Sequence, residues 1–399
     1  MMGVLLLHSA CNMPFASDGQ GASDKLVLVH YMPWYATAPF SGHWGWHWTM
    51  NRFDPDRVDA SGRREIASHA YPLIGPYDSN DPYVLEYHVL LMKMAGVDGV
   101  IIDWYGTSGL RDYGTIHRNA AHLIEYVKKA GLQFAVCYED RTVEYVAEER
   151  SADRAEAVAI AAEDIAWLER TWFGDAAYVR TGNRPIIPVF GPIYFQSAED
   201  WDRILANALT RPLLYALPHR VAATQADGVF GWPPVYGGRE IAPSEWMQYL
   251  TDLYEGAVSE RAVIGVAFPQ FRDRYETSYG SIDARGGATF RQTLTMALDS
   301  ACPIVQIATW NDFGEGTSVE PTVEDGYRYL ESIQQALGGR RGYTAADLRL
   351  PLQLYGLRQR AENDPTLQRS LDEVADGLSR GKVARAQQLM AEVQSRLRR

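Results

Sequence analysis

Between Trp310 and Pro321 the chain reads Trp-Asn-Asp-Phe-Gly-Glu-Gly-Thr-Ser-Val-Glu-Pro. Asp312, Glu315 and Glu320 thus crowd into one short run directly after an apolar stretch, Pro303 to Ala308. Carboxylates at the end of a buried segment are costly unless they are paired or put to use. Proton transfer is one use. Two carboxyls held close in an apolar cleft push each other's proton affinities apart, so that one can donate and the other accept. Asp312 and Glu315 are three residues apart, and on a turn or at a helix start that spacing lets both face the same way. Paired carboxylates flanking a bond are the equipment of glycoside hydrolysis. Glu320, directly before Pro321, reads as a supporting residue.

Aromatic residues support the same chemistry. The chain has 11 Trp and 23 Tyr. Many stand beside polar residues, as in Tyr31-Met32-Pro33-Trp34-Tyr35 and Trp44-Gly45-Trp46-His47-Trp48. Flat rings suit the apolar C–H faces of sugars, although most Trp and Tyr in any chain are large core residues. Other chemistries lack their signatures. There is no Gly-x-Ser-x-Gly elbow, no phosphate loop and no His-Glu-x-x-His zinc motif.

The net charge of -12, with no long basic run before the last few residues, argues against nucleic acid as a partner. No stretch is long and apolar enough to span a bilayer. The three cysteines, Cys11, Cys137 and Cys302, have no zinc-type spacing, so no metal and no cofactor are expected. Cys137 and Cys302 lie in apolar runs and read as buried thiols. Cys11 follows Val4-Leu5-Leu6-Leu7-His8-Ser9-Ala10, which looks like the end of a bacterial lipoprotein signal, though the run is short and lacks a basic start. The expectation is a secreted, periplasmic or cell-surface protein with a lipid anchor at Cys11; a cytoplasmic location is the alternative.

The elements that must position these residues follow a regular rhythm. Residues 14–24 are Ser/Gly/Asp-rich and read as a linker. After them come apolar runs at Leu26–Tyr31, Gly99–Trp104, Gln133–Tyr138, Pro185–Phe190, Leu213–Leu217, Gly228–Trp232, Val263–Phe268 and Pro303–Ala308. They lack strict alternation, as parallel strands buried on both faces do. Helices are predicted between them at Tyr83–Ala95, Ile116–Ala130, Val143–Thr171, Ala198–Leu209, Pro243–Glu255, Ala288–Ser300 and Val323–Leu337, with only a thin connection between the fifth and sixth strands. Asp81-Pro82 supplies an N-cap and first-turn proline, and Gly96 and Gly131 supply helix stops. Eight strands with intervening helices predict an α/β chain of the (β/α)8 TIM-barrel class. A doubly wound sheet is the runner-up, but no Gly-x-Gly-x-x-Gly follows the first strand. The predicted organisation is a leader and linker over 1–24, a catalytic barrel over 25–338, and a helical C-terminal extension over 339–399. In that extension Leu371, Val374 and Leu378 share a face, as do Ala386, Leu389 and Val393.

Barrel chemistry collects at the C-terminal ends of the strands. Those ends offer His30, Tyr31, Trp34 and Tyr35, then Asp103, Trp104 and Tyr105, then Tyr138, Glu139 and Asp140. His219, Trp232 and Gln270 follow the fifth to seventh strands, and Trp310, Asn311, Asp312, Glu315 and Glu320 follow the eighth. One face would carry acids and aromatics together. The predicted catalytic residues are Asp312 and Glu315. Tyr31, Trp34, Tyr35, Trp44, His47, Trp48, Asp103, Trp104, Tyr105, Glu139, Trp232, Trp310, Asn311 and Glu320 are the predicted substrate-binding set.

Four segments carry a resemblance to glycoside hydrolase family 99, the endo-α-mannosidase-like barrels, and its bacterial relatives. They are His30-Tyr31-Met32-Pro33-Trp34-Tyr35 with Gly42-His43-Trp44 and His47-Trp48; Leu73 to Pro82; Asp103-Trp104-Tyr105-Gly106; and Trp310 to Pro321. They keep the family's order across roughly residues 26 to 321. The resemblance implies a (β/α)8 fold and retaining hydrolysis of α-mannosides, often within a chain. It also implies two acids three residues apart in an Asn-acid-x-x-Glu-Gly-Thr pattern, which falls on Asp312 and Glu315. In the family the first acid deprotonates the sugar's own 2-hydroxyl, which attacks C1 to give a 1,2-anhydro sugar, and the second is the general acid, then base. That makes Asp312 the base and Glu315 the acid/base. The chain departs from the family at the first acid, where characterised mannosidases usually carry Glu. Aspartate loses about 1.5 Å of reach, and misplacement on that scale can cost about a hundredfold in rate.

The expected function is therefore hydrolysis of α-mannosides or related 1,2-trans glycosides in an oligo- or polysaccharide. Two alternatives stand beside it. One is a conventional two-carboxylate glycosidase of other specificity that uses another strand-end acid such as Glu139. The other is a non-catalytic carbohydrate-binding barrel.

Overall fold

The computed structural model describes residues 25–259, 261–275 and 279–398. The leader and Cys11 lie outside the described residues. Eight strands build the core: β1 Leu26–Tyr31, β2 Gly99–Trp104, β3 Gln133–Tyr138, β4 Arg184–Pro188, β5 Leu213–Ala216, β6 Gly228–Phe230, β7 Ala262–Ala267 and β8 Ile304–Ile307. They pair in parallel in the order β3-β2-β1-β8-β7-β6-β5-β4, and a short strand at Arg180–Thr181 runs antiparallel to β4. A parallel bridge between Tyr138 and Val189 brings the two ends of that order together, with Phe190 N–H donating to Tyr138 O at 3.0 Å. The result is the (β/α)8 barrel that the apolar runs predict. All eight runs become strands, three with the predicted ends and five differing by one or two residues.

Strand composition explains the closure. Helices cover the outer face and side chains fill the inner one, so nearly every residue of β2 and β3 is buried. Alternation along each strand then sorts neighbours. His30, Asp103, Cys137 and Gln306 point into the barrel, while Tyr31, Trp104 and Tyr138 point to the helices. Tyr31 Oη meets His88 Nδ1 at 2.9 Å, Trp104 Nε1 donates to His117 Nδ1 at 3.0 Å, and Tyr138 Oη donates to Asp164 at 2.8 Å.

Some predicted helices are revised. The long helix over Val143–Thr171 is two helices, Arg141–Arg150 and Arg154–Leu168, followed by a π-helical turn at Glu169–Phe173. Ser151 takes a left-handed conformation and ends the first. Asp153 starts the second through a capping box with Glu156. The predicted helix over Val323–Leu337 begins only at Arg328, because a turn at Gly326 follows Pro321. The predicted Ala198–Leu209 helix stops at Ile204, and between β5 and β6 only one turn forms, Val221–Thr224. Cys137 and Cys302 are both buried free thiols, as expected.

Beyond the barrel lie three helices, Leu350–Arg360, Pro365–Ser379 and Val383–Leu397. Leu371, Val374 and Leu378 face Ala386, Leu389 and Val393 in their shared core, all buried. Arg358, 5% exposed at its side chain, forks onto Glu86 of helix Pro82–Ala95 at 3.0 and 2.7 Å. Arg340 and Arg341 both pair with Asp98, ahead of β2. No helix among the described residues is long and apolar enough to cross a membrane.

Candidate active site

The loop after β8 is held from several sides before any chemistry is considered. Thr309 Oγ1 accepts the Asp312 N–H at 2.8 Å, and Thr309 N–H bonds Thr317 O at 3.0 Å, closing the loop on itself. Asn311 spends its whole amide on neighbours. Its Oδ1 accepts from Met32 N at 2.8 Å, and its Nδ2 donates to Met32 O and Tyr77 Oη at 3.0 Å each. Tyr35 Oη donates to Asn311 O and accepts from Phe313 N. On the other side, Arg272 and Arg274 N–H groups bond Glu315 O and Gly314 O at 2.8 Å. Gly316 makes this approach possible: its φ is +68° and a Cβ there would lie 2.7 Å from Arg272 O.

Four carboxyls meet in this frame: Asp103 from the end of β2, Glu139 just past β3, and Asp312 and Glu315 from the loop after β8. Burial pushes all four proton affinities up. Asp312 rises from 3.8 to about 7, restrained by hydrogen bonds from the Glu315 and Gly314 N–H groups. The first of those is 2.9 Å long, to Oδ1. Glu315 is driven well above the usual carboxylate range by burial and then by the charges of Asp312, Asp273 and Asp103, with the Trp232 side chain nearby opposing the rise. Asp103 and Glu139 are likewise raised well above the usual range by burial, and each lies in the other's field. No cation is among the largest influences on Asp103, Asp312 or Glu315. Burial therefore favours the protonated form across the cluster, and Asp312 is the member whose charge two backbone N–H groups support.

The aromatic residues divide by position. Trp34 stacks on His47 at 3.9 Å, Tyr35 stacks on Trp48 at 4.0 Å, and Tyr105 lies within 6.4 Å of Trp34. Burial lowers His47 to about 3 and His30 to about 4, so both rings are neutral. Trp232 packs edge-on to His30 at 4.9 Å and borders Glu315. The remaining predicted binding residues lie elsewhere. Tyr31 and Trp104 turn outward, as their strand positions require. Trp48 is sealed and donates to Tyr77 O at 2.8 Å. Trp44 donates to Asp56 and lies under Arg64. Trp310 is fully buried beside His88. Glu320 is buried too, its Oε1 3.2 Å from His88 Nε2 and its Oε2 accepting from Tyr77 Oη at 2.8 Å.

Sequence reasoning overlooked several participants. Tyr275 lies in the field of Asp312 and Glu315 and stacks on Trp46, and Asp273 acts on Glu315. Both come from the loop after β7, where only Gln270 is singled out from sequence. Tyr77 sat in plain view within the Leu73–Pro82 segment. His88 had no signal beyond being a histidine in an apolar helix. His30, Asp103 and Cys137 place one ligand atom each within 4.8 Å of one another. They could hold a soft divalent ion, yet Asp103 is already turned to Glu139 and the acid pair needs none.

A closed parallel barrel with buried, proton-retaining carboxyls at the C-terminal ends of its strands has the make-up of a barrel glycosidase. Comparison with known proteins agrees. Residues 22–216 match the family described as Glycosyl hydrolase family 99. A human glycoprotein endo-alpha-1,2-mannosidase-like protein is 22% identical over 338 residues, 73% of this chain and 68% of that one. Its zebrafish counterpart is 31% identical over 119 residues, which span 27% of this chain and 26% of that protein. The solved GH99 endo-alpha-mannosidase from Bacteroides thetaiotaomicron superposes with a TM-score of 0.59 at 19% identity, over 82% of this chain and 98% of that one. The chain resembles glycosyl hydrolase family 99, whose match covers just under half of it, and it is a glycoside hydrolase. The family match ends within β5, so Asp312 and Glu315 lie beyond it.

Proposed function

We propose that this chain hydrolyses α-mannosides, or glycosides with the same 1,2-trans arrangement, with retention, using Asp312 as base and Glu315 as acid and then base. The observation that carries this reading is the unequal treatment of the two acids. Asp312 receives two backbone N–H groups, which hold its rise to about 7, whereas Glu315 is driven well above the usual carboxylate range by burial and by the charges of Asp312, Asp273 and Asp103. At neutral pH the pair therefore supplies one proton acceptor and one proton donor. In the first step the 2-hydroxyl proton passes to Asp312 while O2 attacks C1. The bond from C1 to the leaving oxygen breaks, and that oxygen takes the proton of Glu315. In the second step water attacks C1 and gives a proton to Glu315, while the ring opens and O2 recovers the proton held by Asp312. Because O2 must attack opposite the leaving group, α-mannosides and β-glucosides fit and α-glucosides do not.

The names of the relatives favour the α-mannosides. Asp103 and Glu139, buried beside the pair with Asp103 Oδ2 left without a partner, would bind sugar hydroxyls. Tyr105 lies in the field of both and offers a ring beside them, with Trp34 6.4 Å away. The test is Glu315→Gln, assayed on mannans, α-mannobiose, benzyl α-mannoside and α-mannosyl fluoride. Hydrolysis of the first three should fall by about a hundredfold or more, while the first step on the fluoride, whose leaving group needs no proton, persists and is read as fluoride release in the first turnover. Unimpaired hydrolysis of the alcohol-leaving substrates, or an inverted product anomer, overturns the reading.

A further inference from the structure

The mouth of the barrel has two unlike halves that meet at Glu315. On the side of β1, β2, β3 and β8 the walls are polar, with Asp103, Glu139 and Asp312. Past Glu315, over the ends of β4, β5 and β6, opens a cavity of about 550 Å³. Its wall is formed by Phe190, Ile193, Leu217, Pro233, Val235 and Phe271. Trp232, 9% exposed, lines it beside Glu315, and the other polar side chains on its wall are His219, Tyr249 and Tyr279. Among the described residues, no Asp, Asn, Gln, Lys or Arg side chain lines this cavity, and Glu315 is its one carboxyl.

That composition bears on what leaves. A proton donor must reach the leaving oxygen, so the leaving group lies on the side to which Glu315 opens. A sugar ring placed there would bring several hydroxyls against walls with few partners, since Tyr249 Oη already accepts from Trp232 N at 3.2 Å, and an unpaired hydroxyl is penalised wherever water is displaced. An apolar group would instead gain from the same walls. We infer that the cavity beyond Glu315 receives a hydroxyl-poor leaving group, so that this chain releases its glycosyl unit from an apolar alcohol or from a sugar whose hydroxyls are removed or capped. The inference rests on Glu315 being the proton donor of the proposed reaction.

The test compares leaving groups at one glycone. Wild-type kcat/KM is measured for α-mannosyl fluoride, benzyl α-mannoside, α-mannobiose and an α-mannobiose O-methylated on its reducing-end ring. The inference expects the benzyl or the O-methylated substrate to exceed plain mannobiose by about tenfold or more. Which of the two is better distinguishes an aromatic alcohol from a capped sugar. Val235→Asn, at a half-buried wall position, should lower kcat/KM for the preferred substrate at least about fivefold further than for the fluoride. Ile193→Asn repeats that measurement at a second wall position, and a thermal melt checks each variant's fold. Mannobiose cleaved as well as both apolar substrates overturns the inference and leaves the proposed reaction standing. No turnover of the fluoride overturns the proposed reaction, and this inference falls with it.

Discussion

Asp312→Asn separates two roles that one side chain combines. Asp312 Oδ1 caps the turn by accepting the Glu315 N–H at 2.9 Å, and an amide oxygen can take over that bond. What the substitution removes is the charge. Burial raises this carboxyl from 3.8 to about 7, a rise of roughly three units, and at about 1.4 kcal/mol per unit the ionised form is disfavoured in the fold by about 4 kcal/mol. The folded state holds the proton more tightly than the unfolded chain. The cost is therefore absent below about pH 4, where both states are protonated, grows between about 4 and 7, and is complete above 7. Asparagine should leave stability unchanged at pH 4 and raise it by about 4 kcal/mol at pH 8. Activity should move the other way, falling by about a hundredfold to ten-thousandfold with loss of the base. Urea unfolding at pH 4, 6 and 8, paired with initial rates on benzyl α-mannoside, measures both. Equal stability differences at pH 4 and 8 would refute the burial argument. A variant retaining more than a tenth of wild-type activity would refute the role as base.

Three further outcomes follow from the same geometry. If Asp312 must be ionised and Glu315 protonated, kcat/KM should climb as pH rises through about 7 and fall once Glu315, itself raised well above the usual carboxylate range, loses its proton, with both limbs belonging to the pair; an optimum below about pH 5 contradicts this. Tyr77→Phe removes the hydroxyl that joins Glu320 Oε2 to Asn311 Nδ2; it should cost about 2–4 kcal/mol in chemical denaturation and lower kcat more than it raises KM, and a fully stable variant would show that the network contributes nothing. Arg358→Met strands Glu86 beneath the C-terminal helices and should cost about 3–5 kcal/mol while leaving kcat unchanged; equal stability would mean that this pair does not hold the extension.

Much of the fold was legible because a parallel strand buried on both faces leaves a continuous apolar run, and eight such runs leave few architectures. The break at Ser151 was also written locally, since Asp153 and Glu156 spell a capping box, but an Ala/Glu-rich stretch hides a stop that depends on one left-handed residue. The candidate site was legible as a list and not as an arrangement. Asp103 and Trp104 are neighbours in sequence, yet one faces the acid cluster and the other the helix layer. Tyr31 and Trp104 were drawn into the predicted binding set by proximity to a strand end, where alternation sends them outward.

The sequence by itself determined the strands, the aromatic loop after β1 and the spacing of Asp312 and Glu315, because these depend on local pattern. Only the tertiary structure decided which acids meet. The register of β2 on β3 sets Asp103 beside Cys137 and, one step on, within reach of Glu139. The loop after β7 docks on Glu315 through backbone bonds that no side-chain pattern announces. The division of labour between the two catalytic candidates also comes from the fold, since proton affinity depends on burial, on neighbouring charge and on which backbone N–H groups are left to point at a carboxylate.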